Sequence, residues 1–203
     1  MLGDEPVPLS GGEFRALRDL LRGYAGVRFD DDVAFLVQRR LQPRLHELGL
    51  QSFGAYLDLL QDPQRPAAAR AAELQALFER LATRETYFFR ESYQLDALAQ
   101  EILPPLLRGG EPLSLWSAGC STGEEAYTLA ITALRAGARA PRVLGTDLSQ
   151  VALEAADAAV YGPGAFRQTA DELRERYFDK EDGGRPRWRV SDEIRRLVTF
   201  RPL

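Results

Sequence analysis

Residues 113–125, Leu-Ser-Leu-Trp-Ser-Ala-Gly-Cys-Ser-Thr-Gly-Glu-Glu, constrain the fold more than any other stretch. An apolar, strand-like run meets a turn of small residues, and two carboxylates then open a helix. The helix reads from Glu124 to about Ala136, Gly137 ends it, and Val143-Leu144-Gly145 forms a second short strand. Another helix, from about Gln150 to Ala159, extends this to a β-α-β-α rhythm, which implies a parallel sheet. A polar stretch follows, with turn signals Gly162-Pro163-Gly164 and Gly183-Gly184. Within it Arg187–Val190 reads as a short strand in an excursion, and residues 197–200 as a third strand of the sheet.

The first third has a different period. Ser10 and Glu13 have capping-box spacing, and Phe14, Leu17, Leu21 and Tyr24 follow at helical intervals. Gly23 and Gly26 close that helix. Asp30 to Asp32 offer N-caps and favourable charge for a second helix through Val33, Leu36, Val37 and Leu41, with a kink or restart expected at Pro43. Gly49 is a stop, Ser52 caps a short helix, Asp62-Pro63 breaks it, and an alanine-rich helix spans about 67–81. Residues 1–9, with Pro6 and Pro8, read as a loose leader. The expected architecture is α/β: a helical bundle over 1–82, a linker and domain start over 83–105, and a Rossmann-like domain over 106–203 with a β excursion near 183–190.

Composition closes off several classes of function. A chain of 203 residues has room for one or two domains, and a net charge of -4 gives no global field to recruit nucleic acid or an anionic membrane. One cysteine excludes an internal disulfide, and one histidine, His46, leaves no His/Cys metal constellation. His46 reads as an ordinary histidine. No run approaches the length of about 20 apolar residues that spans a bilayer, so a cytoplasmic protein is expected.

In Ser117-x-Gly119-x-Ser121-x-Gly123, Gly119 and Gly123 let backbone approach a ligand and Ser121 keeps space open. The spacing is not that of the dinucleotide fingerprint G-x-G-x-x-G. Asp147 closes the second strand, where an acidic side chain can accept both hydroxyls of a ribose; its plainer role is to cap the following helix. Glu124 and Glu125 complement the helix dipole, and two in succession exceed what that role requires. In the block from Thr83 to Glu91, Thr86 can cap a helix, and Tyr87, Phe88 and Phe89 must face several directions. Arg90 there offers a fixed cation for a carboxylate, or a structural partner for a glutamate. Arg39, Arg40 and Arg44 form a basic set on the second helix, suited to solvated ion pairs or to docking on an acidic protein surface.

Together these segments resemble the CheR family, the S-adenosylmethionine-dependent methyltransferases that esterify glutamate side chains of bacterial chemoreceptors. The resemblance rests on Thr86-Tyr-Phe-Phe-Arg-Glu91, on the run Leu115-Trp-Ser-Ala-Gly-Cys-Ser-Thr-Gly-Glu-Glu-Ala-Tyr127, and on Gly145-Thr-Asp147-Leu-Ser. Val160-Tyr-Gly162, Arg176-Tyr-Phe178 and Val198-Thr-Phe-Arg201 fall in the family's order, and residues 39–53 look like its helical domain. The resemblance implies S-adenosyl-L-methionine as cofactor and S-adenosyl-L-homocysteine as product. It implies that Thr86 and Arg90 contact the cofactor, with Arg90 nearest the reaction centre. Glu124 or Glu125 would lie near the methionyl amine and Asp147 on the ribose. Arg39, Arg40 and Arg44 would face a methyl-accepting chemoreceptor, and the excursion near 185–190 would be the small β-subdomain that grips a receptor tail in some members. Arg84 departs from the Asn or Gly the family often places there.

The chain stops at Leu203, short of an Asn-Leu pair, a further strand and a tyrosine that the family uses around its cofactor. About three sheet strands are therefore expected where the full fold has seven. That leaves an apolar edge and face, hidden by dimerisation or element exchange, and cofactor binding that is weakened or lost. A catalytically silent receptor-docking module is the alternative reading. A dehydrogenase is disfavoured by the glycine spacing.

Overall fold

A computed structural model describes residues 6–82 and 85–203, and the chain divides into two compact units between Thr83 and Arg84. The first holds α1 (Gly11–Ala25), α2 (Ala34–Glu47), α3 (Phe53–Gln61) and α4 (Ala67–Leu81). Ser10 and Glu13 form the reciprocal capping box of α1, and Gly26 ends that helix with φ 68°. Ser52 caps α3 through the Ala55 N–H. Phe14, Leu17, Leu21, Val37, Leu41, Leu45, Phe53, Tyr56, Leu60 and Leu77 are buried, so each helix turns one apolar stripe inward.

Two local expectations are corrected here. Pro43 does not restart α2, which runs as one helix from Ala34 to Glu47 with the proline inside it. Leu41 and Leu45 are both fully buried on either side of it, and packing of that stripe outweighs the missing N–H. Asp30 to Asp32 supply no side-chain cap; Asp31–Val33 form a 3-10 turn, and Asp31 instead accepts from Arg18 Nη1 at 2.8 Å.

The second unit begins with an irregular segment, 85–91. A nearly continuous helical stretch follows: α5 (Ser92–Ala97), a π-helical turn (Leu98–Ile102) and α6 (Leu103–Arg108). Three parallel strands form its main sheet in the order β1 (Ser114–Ala118), β2 (Arg142–Asp147), β6 (Val198–Pro202). Between them run α7 (Glu124–Arg135) and α8 (Gln150–Ala158). Inward-facing Val143 and Gly145 share a buried face with Cys120, Ala126, Ala130 and Phe200. The opposite face presents Trp116, 62% exposed, whose Nε1 donates to Thr146 Oγ1 at 2.9 Å. Three parallel strands with one uncovered face agree with the sequence reading.

Between α8 and β6 lies a second, antiparallel sheet in the order β3 (Val160–Tyr161), β5 (Arg187–Val190), β4 (Phe178–Glu181), with α9 (Asp171–Tyr177) leading into β4 and α10 (Asp192–Arg195) following β5. The excursion is thus wider than residues 183–190. Phe88, Tyr161, Phe166 and Phe178 form an aromatic cluster joining it to the 85–91 segment, with Phe88 edge-on to Tyr161 and stacked on Phe166. The three aromatics therefore do point in different directions: Phe88 and Phe89 are buried and Tyr87 is only partly covered.

Candidate functional site

The carboxyl ends of β1 and β2 meet at one point. The amides of Gly119 and Cys120 both donate to Thr146 O, at 2.8 and 2.9 Å, so the turn after β1 folds across the end of β2. Asp147 then locks it: its carboxylate accepts the Ser121 N–H at 2.8 Å and the Ser149 N–H at 2.8 Å. One oxygen serves each amide, which leaves the carboxylate further lone pairs. Ser149, not Asp147, caps α8, through the Ala152 N–H. Charge-assisted bonds to two amides fix the acid rigidly at the strand end.

Around this lock the turn is left open on one side. Gly119 has φ 75°, and a methyl added there would meet nothing within 4 Å. Ser121 adopts φ 48°, and its Oγ is buried with no hydrogen-bond partner among the described residues. An orphaned hydroxyl in a left-handed serine is costly, and such strain collects where a ligand is held. Gly123 sits in tighter surroundings than Gly119. A methyl on it would lie 2.8 Å from Ala156 Cβ, 3.0 Å from Phe200 Cζ and 3.1 Å from Tyr161 Oη. Its missing side chain makes room for protein, and the turn packs on α8 and β6 there.

Glu124 and Glu125 separate. Glu124 is 4% exposed, accepts from Thr122 Oγ1 at 2.6 Å, and burial pushes its carboxyl above the ordinary range. Glu125 is exposed and accepts from buried Ser117 Oγ at 2.6 Å, so it is the acid presented outward. Cys120 reports the local field: burial, and then the Asp147 carboxylate, push its thiol up to about 12. A turn flanked by the acids Asp147 and Glu125 suits a cationic guest.

The 85–91 segment is tied to the same helix. Phe89 N–H donates to Thr128 Oγ1 at 3.2 Å, and that hydroxyl donates to Glu124 O at 2.7 Å. Thr86 caps no helix, since α5 starts only at Ser92; it lies in the irregular run that leads to Arg90. Arg90 is half exposed, donates to Glu85 O at 3.0 Å, and has Glu91 at 3.8 Å. Phe89 and Glu91 take φ of 58° and 55°. Of the four non-glycine residues with positive φ among the described residues, these two and Ser121 lie in the two segments described here. Arg84 falls outside the described residues. Sequence reasoning missed Thr128, which joins the segments, and Tyr161, which donates to Thr122 O at 2.7 Å and walls the turn. A lone buried threonine gives no pattern, and Tyr161 is more than thirty positions along the chain from the turn.

The basic set on α2 divides. Arg44 makes two bonds to Glu73, at 2.9 and 2.6 Å, and a third to Glu47 at 3.0 Å; Tyr56 Oη also donates to Glu73 at 2.9 Å. Arg40 Nη1 donates to Leu81 O at 2.8 Å. These two side chains hold the bundle together, and of the three only Arg39 is exposed, the others being half-buried. His46 is exposed, as an ordinary histidine would be, and no group of three or more His, Cys, Asp or Glu among the described residues is arranged to hold a metal. No helix among the described residues is long and apolar enough to cross a membrane.

A parallel α/β sheet with an acid at the end of β2 and a small-residue turn at the end of β1 defines a nucleoside-binding domain. Family models sharpen this: residues 84–203 match the CheR methyltransferase SAM-binding domain and residues 12–82 the CheR methyltransferase all-alpha domain. The chain belongs to the CheR methyltransferase family. It is 35% identical to the chemotaxis protein methyltransferase of Vibrio parahaemolyticus over 97% of this chain and 71% of that protein. It is 34% identical to that of Escherichia coli K12, over 98% and 68%, and 32% identical to chemotaxis protein methyltransferase 1 of Pseudomonas aeruginosa, over 96% and 72%.

The cofactor is accordingly S-adenosyl-L-methionine, and the residues present fit it. The free Ser121 hydroxyl, the open space over Gly119 and the acids Asp147 and Glu125 match a ligand that carries ribose hydroxyls, an ammonium and a sulfonium.

Proposed function

We propose that this chain transfers a methyl group to glutamate side chains of methyl-accepting chemoreceptors. The observation that carries the reading is Asp147, held by the Ser121 and Ser149 amides at the mouth of a turn whose other side is open. When bound, S-adenosyl-L-methionine supplies a positively charged sulfonium with a displaceable methyl. Asp147 would hold the ribose hydroxyls, and Glu125 would hold the amine. Gly119 would let the backbone close over the ligand, and Ser121 would donate its free hydroxyl. Glu124, buried and bonded to Thr122, would instead support the first turn of α7. Gly123 shapes the turn from behind.

A glutamate carboxylate is already ionised at neutral pH, so the protein needs no general base. The chain's own work is to align the carboxylate and to neutralise its charge on approach. Arg90, together with Thr86 on the same segment, would do this, and the Phe89–Thr128–Glu124 chain of hydrogen bonds that ties the segment to α7 supports the reading. Arg39 is the α2 residue free to meet an acidic receptor helix; Arg40 and Arg44 serve it by holding α2 in place. The preformed Asp147 lock supports cofactor binding by this chain.

The test uses receptor protein and cofactor labelled in the methyl group. Label that enters receptor glutamates and leaves as methanol in mild base, in an Arg90-dependent way, supports the proposal. Label that fails to enter receptor while the chain still binds it favours the alternative, a silent receptor-docking module.

A further inference from the structure

Three contacts carry the turn after β3 onto the 85–91 segment. Phe88 N–H donates to Ala165 O at 2.9 Å, Phe88 stacks on Phe166 with ring centroids 5.1 Å apart, and the Arg167 guanidinium lies 3.6 Å from the centroid of Tyr87. The Arg90 guanidinium lies over the same ring, 5.8 Å from its centroid. Glu85 serves both cations: its carboxylate accepts from Arg167 Nη2 at 2.9 Å and its carbonyl from Arg90 Nη1 at 3.0 Å. The side chains of Arg167 and Arg90 are 43% and 50% exposed, and Glu85 is 70% exposed, so water reaches all three. Beside the first turn of α7, two guanidiniums thus converge on one aromatic ring, and one of them holds a replaceable carboxylate.

We propose that Arg167 is a second carboxylate-recognition residue beside Arg90, making the site specific for an acidic side chain of a protein substrate. Glu85 occupies Arg167 until the substrate carboxylate exchanges in. This rests on the reading that the site methylates carboxylates. A guanidinium stacked on a ring keeps its edge donors oriented, and such an edge matches a carboxylate in two-point fashion. Arg167 uses one amino group on Glu85 and makes a long contact, 3.4 Å, from the other to Gly164 O. An exposed ion pair of this kind is weak and exchanges readily. The charge of Arg167 also reaches inward: burial raises the Glu124 carboxyl, and Arg167 is among the groups that oppose the rise.

The experiment titrates the chain, saturated with S-adenosylhomocysteine, with a glutamate-bearing receptor peptide and with its glutamine counterpart. The unaltered chain is expected to prefer the glutamate peptide by about tenfold. Arg167→Gln should erase most of that preference and Arg167→Lys should restore part of it. Glu85→Gln should strengthen glutamate-peptide binding by roughly two- to fivefold, since it removes an internal competitor. If Arg167→Gln keeps the preference, or Glu85→Gln weakens peptide binding, Arg167 and Glu85 are a structural staple and the inference fails. A separate titration with S-adenosylhomocysteine alone distinguishes the two levels. Intact cofactor binding without a peptide preference overturns this inference only, whereas absent cofactor binding overturns the reading of the site itself.

Discussion

Replacing Gly119 and Gly123 separately by alanine divides the turn into its two functions. Both glycines have positive φ, 75° and 94°, so each substitution carries a backbone penalty of about 1–2 kcal/mol for a side chain in the left-handed region. At Gly123 the new methyl also meets Ala156 Cβ at 2.8 Å, and Phe200 and Tyr161 at 3.0 and 3.1 Å. Ala156 is a short, fully buried side chain that cannot swing away, so overpacking adds roughly 1–3 kcal/mol. Gly123→Ala should therefore cost about 2–5 kcal/mol in all. At Gly119 nothing lies within 4 Å, and the stability cost stays at the backbone figure. The methyl instead fills the space assigned to the cofactor, so affinity for S-adenosylhomocysteine should fall by about tenfold or more. Urea unfolding gives the first quantity from the midpoint at constant slope, and calorimetric titration gives the second. Equal destabilisation by the two substitutions, or unchanged affinity in Gly119→Ala, would refute the assignment of one glycine to the interior and the other to the ligand.

Further outcomes follow from the ion pairs and the core. Hydrogen bonds from Arg44 hold the Glu73 carboxyl below the ordinary range, so its folded form is the charged one. That contribution to stability is complete above the ordinary carboxylate range and is lost as pH falls through the depressed folded value; acid titration of unfolding should show this loss. Glu73→Gln should flatten that acid limb and cost about 3 kcal/mol at neutral pH, because Arg44 and Tyr56 lose their charged acceptor. Cys120, 1% exposed with its thiol pushed up to about 12, should resist alkylation at pH 8 in the native chain and react rapidly in denaturant. Phe88→Ala should lower stability by about 3–5 kcal/mol in urea unfolding, since Phe88 is fully buried among Tyr161, Phe166 and Phe178.

The elements most legible in the sequence are those fixed by local chemistry. Ser10 and Glu13 marked α1 because a capping box needs only four residues, and Ser52 marked α3 for the same reason. The parallel sheet was legible because an amphipathic helix of ordinary length, α7, joins β1 to β2 and a second, α8, follows β2. Tertiary packing decided the places where local reading failed. Pro43 signals a break, but the buried leucines around it carry α2 through. Gly123 reads like Gly119 along the chain, and only the arrival of Ala156 and Phe200 from elsewhere gives it an inward role. Arg40 and Arg44 look like one basic face; Glu73, on another helix, turns Arg44 into a structural cation. Arg167 had no motif at all, because its partners Glu85 and Tyr87 lie about eighty positions earlier.

Asp147 is where the account is most directly exposed to experiment. Calorimetric titration with S-adenosylhomocysteine should show one site on the unaltered chain and at least about tenfold weaker binding on Asp147→Asn, which keeps an amide-accepting oxygen but removes the charge. Equal affinity in the two proteins, or no binding to either, would contradict the claim that the turn locked by Ser121 and Asp147 is the cofactor site.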